Sequence, residues 1–288
     1  MSDMTGRTCL VTGATSGHGE AVARALAERG ADLILLGRSA EKCAALQKQI
    51  ADTAGKTPDV LLGDLASRTE VDRVADEFLA SGRPLHVLVN NAGLVNLERK
   101  VDGEGRELTF AVNYLSMFQL TLRLFERLKE SAPARVVNVG SDSYKIATLE
   151  LDNLQLERDY SVAQAYARSK LAILHFTREL ARRTEGSGVA VNAVDPGPVA
   201  SNIGANNPGI LYSLARPMIR YLFPSAARAA RTCLRVATEP GLENASGGYY
   251  RSLVLRERPL KQPDPELAAG LWAESVRLTG VDLSAGSP

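Results

Sequence analysis

At 288 residues the chain is long enough for one α/β domain with a filled core, and a second large domain is not expected. Its 34 Lys and Arg nearly balance 33 Asp and Glu, which excludes the one-sided basic field that nucleic acid binding needs. The three cysteines, Cys9, Cys43 and Cys233, lack a CxxC pair or metal-ligand spacing, so they read as reduced, buried, small apolar residues and no metal site is expected.

From Met1 the chain passes through a polar stretch into the short apolar run Thr8 to Val11, too brief for a signal peptide or a spanning helix. A cytoplasmic, soluble protein is the expectation. Strand-length apolar runs recur at Thr8 to Thr12, Asp32 to Leu36, Val60 to Leu62, His86 to Asn90, Arg135 to Val139 and Val189 to Val194. Between them Ala21, Val22, Ala25 and Leu26, and again Val71, Val74, Phe78 and Leu79, repeat with helical spacing. Near-continuous apolar strands alternating with helices predict a Rossmann-type, doubly wound parallel sheet with helices on both faces, in a single domain over 1–288. Long helices are predicted over Leu108 to Lys129 and Val162 to Arg183, and a last short one around Leu267 to Leu278. After Pro196 the regularity fails among glycines and prolines, while Ile210 to Phe223 stays apolar, so 197–235 is expected to form a lid over the sheet.

Directly after the first strand, Thr12-Gly13-Ala14-Thr15-Ser16-Gly17-His18-Gly19 carries glycines at GxxxGxG spacing and runs into a helix. Glycine permits positive φ and close backbone approach, and the N–H groups of a helix N-terminus meet the charge of a pyrophosphate.

Four motifs in order resemble the short-chain dehydrogenase/reductase family from about Gly6 to Gly248: this turn, Asn90-Asn91-Ala92-Gly93, Ser141, and Tyr166-Ala167-Arg168-Ser169-Lys170. Asp195-Pro196-Gly197-Pro198-Val199 looks like the family's PG motif beside the nicotinamide. Val112-Asn113-Tyr114-Leu115, the long Ser141 to Tyr166 spacing and Gly247-Gly248-Tyr249-Tyr250 look most like the retinol-dehydrogenase-like group. The resemblance implies an oxidoreductase moving a hydride between a nicotinamide and a hydroxyl or carbonyl carbon. It implies Tyr166 as acid/base, Ser141 as donor to the substrate oxygen, Lys170 as the cation serving Tyr166 and the ribose, and Asn113 as holder of a water linking Lys170 to solvent. Tyr166 and Lys170 lie four apart and share a helix face, and a nearby cation is expected to lower the phenol's pKa.

The same resemblance assigns the cofactor to Gly13, Thr15, Ser16, Gly17, His18 and Gly19, to Asn91, Ala92 and Gly93, with Asn90 too expected where the chain passes close to it, and to Pro196, Gly197, Val199 and Ser201. Asp64 and Leu65 would contact adenine, with an exposed cap for a helix over Ser67 to Ala80 as the rival reading of Asp64. At the end of the second strand Arg38 offers a guanidinium to a 2′-phosphate where no carboxylate awaits a free ribose, so NADP is expected ahead of NAD. His18 replaces a branched apolar residue, Gly140 replaces a serine and leaves Ser143 as a rival to Ser141, and Ser201 replaces a threonine. His86, His175 and Trp272 read as packing residues. The substrate is expected to be a small lipophilic molecule, and the family implies a homodimer or homotetramer with the two long helices at the interface. Two other readings stand beside this one: a catalytically silent dinucleotide-binding protein, and an amphipathic membrane-surface element at Leu211 to Phe223 without a membrane span.

Overall fold

The computed structural model describes residues 3–197, 225–256 and 264–283. The sequence-predicted strands are β1 (Thr8–Thr12), β2 (Asp32–Gly37), β3 (Asp59–Leu62), β4 (Val87–Asn90), β5 (Ala134–Val139) and β6 (Val189–Asp195), joined by two that periodicity misses, β7 (Tyr249–Arg251) and β8 (Val254–Leu255). They form one sheet in the order β3-β2-β1-β4-β5-β6-β7-β8, parallel through β7 and antiparallel only at β8. Ser252 and Leu253, at φ 52° and 66°, make the left-handed turn between β7 and β8.

Both sheet faces are apolar because successive strand residues point to opposite sides. Cys9, Val11, Leu33 and Leu35 pack under α1 (Gly17–Ala27) and α2 (Ala40–Ala54), and the same layer includes Cys233 and Val236 of a late helix. On the other face Leu10, Ile34, Leu36 and Val136 meet α3 (Arg68–Ala80) and the helical run from Leu108 onward. That run is α4 (Leu108–Phe110), a wide π turn at Ala111–Leu115, α5 (Ser116–Arg123) and α6 (Phe125–Glu130), followed after β5 by α7 (Val162–Arg183). The chain closes with α8 (Ala226–Thr238) and α9 (Pro265–Thr279).

Three expectations meet the structure here. The cysteines are free and buried, as expected. Of the 197–235 segment only Gly197 and its end from Ser225 are described, and that end enters α8, whose Ala230 and Cys233 lie in the sheet core with Val22 and Leu26 of α1. That described end packs on the sheet and α1, while Ile210 to Phe223, the stretch expected over the substrate, lies outside the described residues. Of the two long helices expected at an oligomer interface, one face of α5 and of α7 packs within the chain, where Trp272 of α9 sits 5.1 Å from Phe118 and 5.9 Å from Phe176. Among the described residues no helix is long and apolar enough to cross a membrane, and no His, Cys, Asp and Glu group could hold a metal.

Candidate active site

Residues at or just beyond the carboxyl ends of all seven parallel strands line one cleft of about 760 Å³, with Gly13, Arg38, Asp64, Asn91, Ser141, Pro196 and Arg251 among them. Its middle lies beside β1 and β4, where the strand order reverses and a doubly wound sheet opens a crevice.

The glycine turn is held by β4. Thr12 Oγ1 accepts from the N–H of Asn91 (2.9 Å) and of Ala92 (3.0 Å), and Asn91 Nδ2 donates to the carbonyls of Thr12 (2.9 Å) and Gly13 (3.2 Å). Gly13 and Gly17 adopt φ 62° and 55°. Gly19 is required for space, because a Cβ there would overlap the Asn91 amide and the Gly13 carbonyl. Ser39, Ser67, Ser161, Ser225 and Asp264 each cap their helix with a side-chain bond, whereas Ser16 makes none at the start of α1. The first N–H groups of α1 are thus left without a side-chain cap, beside a cleft lined by Thr15, Ser16, Gly17 and His18. The cradle, the uncapped helix and the cleft's size fit a dinucleotide.

His18 is buried, with Nδ1 2.9 Å from Asn91 Oδ1. Both Asn91 amide hydrogens go to carbonyls, so its oxygen accepts and His18 Nδ1 carries the proton. Burial holds the imidazole pKa below its usual value against the opposing Asn91 side chain and Ala229 carbonyl, and Nε2 is enclosed without a well-formed hydrogen bond.

Arg38 stands exposed just beyond β2, with Ser39 and Lys42 on the same wall. Asp64 and Leu65 line the cleft; Asp64 Oδ1 accepts from Ala66 N (3.0 Å), and the helix cap is Ser67 rather than Asp64. Ala92, Gly93 and Gly197 are also on the wall, while Val199 and Ser201 lie outside the described residues. Asn90 is a correction: it is buried, and its amide donates to Thr121 Oγ1 and Asn138 Oδ1, both at 2.9 Å, so it ties β4 into the core.

Ser141, Tyr166 and Lys170 come together on the far side of the cleft. Ser143 does not line it; its N–H donates to Ser141 Oγ (3.3 Å). Burial pushes the Tyr166 phenol up to about 12, with the Ser141 hydroxyl opposing. The lowering expected from Lys170 is overtaken, since the Lys170 ammonium is 5.4 Å from the Tyr166 ring centroid and donates to the Val139 carbonyl at 2.9 Å. Burial brings Lys170 itself down to about 8, with Asp195 opposing.

Asn113 lies in the π turn, a local widening that recurs at functional sites. Its Oδ1 accepts from Leu94 N (2.8 Å), and its Nδ2 donates to Leu94 O (3.0 Å) and Ser169 Oγ (3.1 Å). Both amide hydrogens are used and Oδ1 already accepts one bond, so the side chain can take a water only on the remaining lone pair of Oδ1. Sequence reasoning gave no role to Lys42, Asp142, Asp195 or Arg251, which also line the cleft. For Asp142, Asp195 and Arg251 the only advance signal was position just after a strand or at its end, and Lys42, in the first turn of α2, had none. His86, in contrast, accepts from Thr8 N (2.9 Å) as a packing residue.

The short chain dehydrogenase family model matches residues 7–208. Mouse retinol dehydrogenase 13 is 35% identical over 289 residues, covering 98% of this chain and 86% of that protein. Human retinol dehydrogenase 12 is 37% identical over 279 residues, covering 96% and 87%. A Mycobacterium paratuberculosis protein superposes with a TM-score of 0.78 at 31% identity over 98% of this chain and 97% of its own. The Pseudomonas aeruginosa RhlG/NADP active-site complex superposes at 0.68, with 28% identity over 86% and 95%. The chain belongs to the short-chain dehydrogenase/reductase family, in its retinol-dehydrogenase-like group, and is an oxidoreductase acting on CH–OH or C=O with NAD(P).

Proposed function

We propose that this enzyme uses NADP(H) and acts on a lipophilic alcohol, aldehyde or ketone, with retinol-like substrates first among them. The observation that carries the reading is the convergence of Ser141, Tyr166 and Lys170 on the cleft that also contains the uncapped α1 N-terminus and Arg38. When bound, the nicotinamide supplies or accepts the hydride. Ser141 Oγ holds the substrate oxygen by a hydrogen bond and sits close enough to Tyr166 to steady its hydroxyl. Tyr166, protonated at neutral pH, delivers its proton to a carbonyl oxygen; in the reverse direction it takes the proton of the alcohol only as the phenolate, after its own proton has left. Lys170 supplies an ammonium beneath Tyr166 that can turn from the Val139 carbonyl toward ribose hydroxyls.

Arg38, with Lys42 beside it, supports the choice of NADP(H), because a guanidinium pairs with phosphate through a planar fork of donors. Leu94, Leu108 and Val112 on the wall, and the names of the curated relatives, support a lipophilic substrate. A silent dinucleotide-binding protein would need no serine, tyrosine and lysine gathered at one place.

The test is turnover of retinal and small ketones with NADPH and NADH, together with cofactor titrations of Arg38→Ala. The variant is expected to lose about 1.5–3 kcal/mol of NADPH affinity and to keep its NADH affinity. Preference of the wild type for NADH, or equal losses for both cofactors, would remove the NADP assignment and leave the oxidoreductase class intact.

A further inference from the structure

Beside Ser141, three strand ends are joined by charges that the reaction described above does not use. Asp195, at the end of β6, is 4% exposed, and its Oδ1 accepts from Gly197 N at 2.7 Å. Its Oδ2 accepts from the N–H of Asp142 (3.2 Å), the residue after Ser141, and lies 3.3 Å from Arg251 Nε. Arg251, at the end of β7, also pairs with the Asp142 carboxylate. That carboxylate takes Tyr249 Oη–H at 2.9 Å and Lys145 Nζ at 2.5 Å, and Tyr249 is packed edge-on by Tyr144. Asp142, Asp195 and Arg251 all line the cleft with Tyr166 and Lys170.

We propose that the Asp195–Arg251–Asp142 brace is a positioning device that fixes Ser141 against Tyr166 and, through the charge of Asp195, sets the pH window in which Tyr166 exchanges its proton. The proposal rests on the reading of Ser141 and Tyr166 as the reacting pair.

Two physical points support it. The backbone of Ser141 is extended, at φ −168° and ψ 146°, and the next N–H is held from β6, so its hydroxyl depends on a register shared by three strands. A serine that followed its own loop would be free of β6 and β7. The second point is charge. Around Asp195 stand His18 from α1, Asp142 and Tyr144 from the turn after β5, Tyr166 and Lys170 from α7, and Tyr249 and Arg251 from β7, while Lys145 of that turn pairs with Asp142. Asp195 favours the protonated form of His18, Tyr166, Lys170 and Tyr249. Arg251 sits between the two carboxylates and screens them. For Asp142, burial pushes the carboxyl up, but the Lys145 and Tyr249 bonds and the Arg251 charge more than offset it, so it stays below its usual value and ionised.

Opposite charge changes should therefore move the reaction in opposite directions. Asp195→Asn keeps the shape and one acceptor but removes the negative charge, so the rise of kcat/KM for alcohol oxidation should move to lower pH by roughly one unit. Arg251→Met unmasks the carboxylates and should move the same limb to higher pH. The Asp195→Asn/Arg251→Met double variant should return close to the wild-type profile, and Arg251→Lys should resemble wild type. Cofactor affinity, titrated by NADPH fluorescence, should change less than about threefold throughout. A brace that only stabilised the fold would lower melting temperature and activity in each variant without opposed pH shifts. Shifts of one sign in both single variants, or profiles that do not move, would overturn the proposal. Tyr166→Phe is the control: near-complete loss of turnover beside unmoved profiles defeats the brace alone, whereas retained turnover defeats the acid/base reading and the brace with it.

Discussion

Lys170 shows how one buried side chain can serve the reaction and cost the fold. Its ammonium is almost wholly enclosed, and burial lowers its pKa from 10.5 to about 8, Asp195 offsetting only part of that. In the unfolded chain the lysine keeps its proton to higher pH, so between about 8 and 10.5 the unfolded state binds more protons. Stability must then rise with pH across that window, and the cost of the buried charge is fully present below it. Lys170→Met fills similar volume without the charge, although it leaves the Val139 carbonyl without its donor. The lysine's desolvation exceeds the cost of one unpaired carbonyl, so the variant should be more stable than wild type at pH 7 by about 1–2 kcal/mol while losing turnover. Denaturant unfolding at pH 7, 9 and 10.5 checks it, and the gap should close as pH rises. A variant less stable at pH 7 would mean that the carbonyl bond dominates. At this scale the sequence named Ser141, Tyr166 and Lys170, because they sit in a recognisable spacing. It gave no role to Asp142, Asp195 and Arg251, whose meeting depends on which strands are neighbours, and it placed Asn90 at the cofactor where the core holds it.

At the scale of elements, the phosphate cradle is a joint between α1 and β4. Gly13 and Gly17 need positive φ, but Gly19 needs room, because the Asn91 side chain crosses behind it to the Thr12 and Gly13 carbonyls. Gly19→Ala would force that amide away and disturb the His18 contact together with the first turn of α1. The neighbours are a backbone carbonyl and an amide held by two bonds, so neither gives way cheaply. A stability loss of about 1–3 kcal/mol is expected, with cofactor affinity falling at least roughly tenfold. Thermal melts with and without NADPH separate the two effects, and a variant that binds the cofactor normally would show that the Asn91 crossing is dispensable. The six longer strands and α1, α3 and α7 were legible from periodicity. The strands β7 and β8 were not, since three and two residues carry no period, and β7 is identified by its pairing of Tyr249 with Ala193 and Tyr250 with Val194. The π turn at Asn113 was equally invisible, because one residue of extra width leaves the helical apolar pattern almost unchanged.

Across the whole molecule, the last described helix returns to brace the centre of the chain. Trp272 of α9 stacks on Phe176 at 17° and meets Phe118 nearly edge-on, while the Arg183 guanidinium lies 4.2 Å from its indole ring centroid. Ser275, one turn on, is 2.8 Å from the hydroxyl of Tyr114, the neighbour of Asn113 in the π turn. Arg106 and Arg68 reach the carbonyls of Leu278 and Thr279 at 3.3 and 3.4 Å, fastening the helix end to the segment before α4 and to α3. The sequence showed a helix here but not its docking, because nothing in an amphipathic stripe says which groove receives it. Trp272→Ala would open a cavity among Phe118, Phe176 and Leu271, and a buried Trp→Ala change costs about 3–5 kcal/mol. Ser141, Tyr166 and Lys170 lie at strand ends and on the cleft side of α7, so the folded fraction should keep its KM for substrate and cofactor. Urea unfolding followed by tyrosine fluorescence and far-UV circular dichroism, with steady-state kinetics well below the midpoint, measures both. A small stability loss with a raised KM would reverse the assignment, making α9 a support of the π turn at Asn113 before a support of the core.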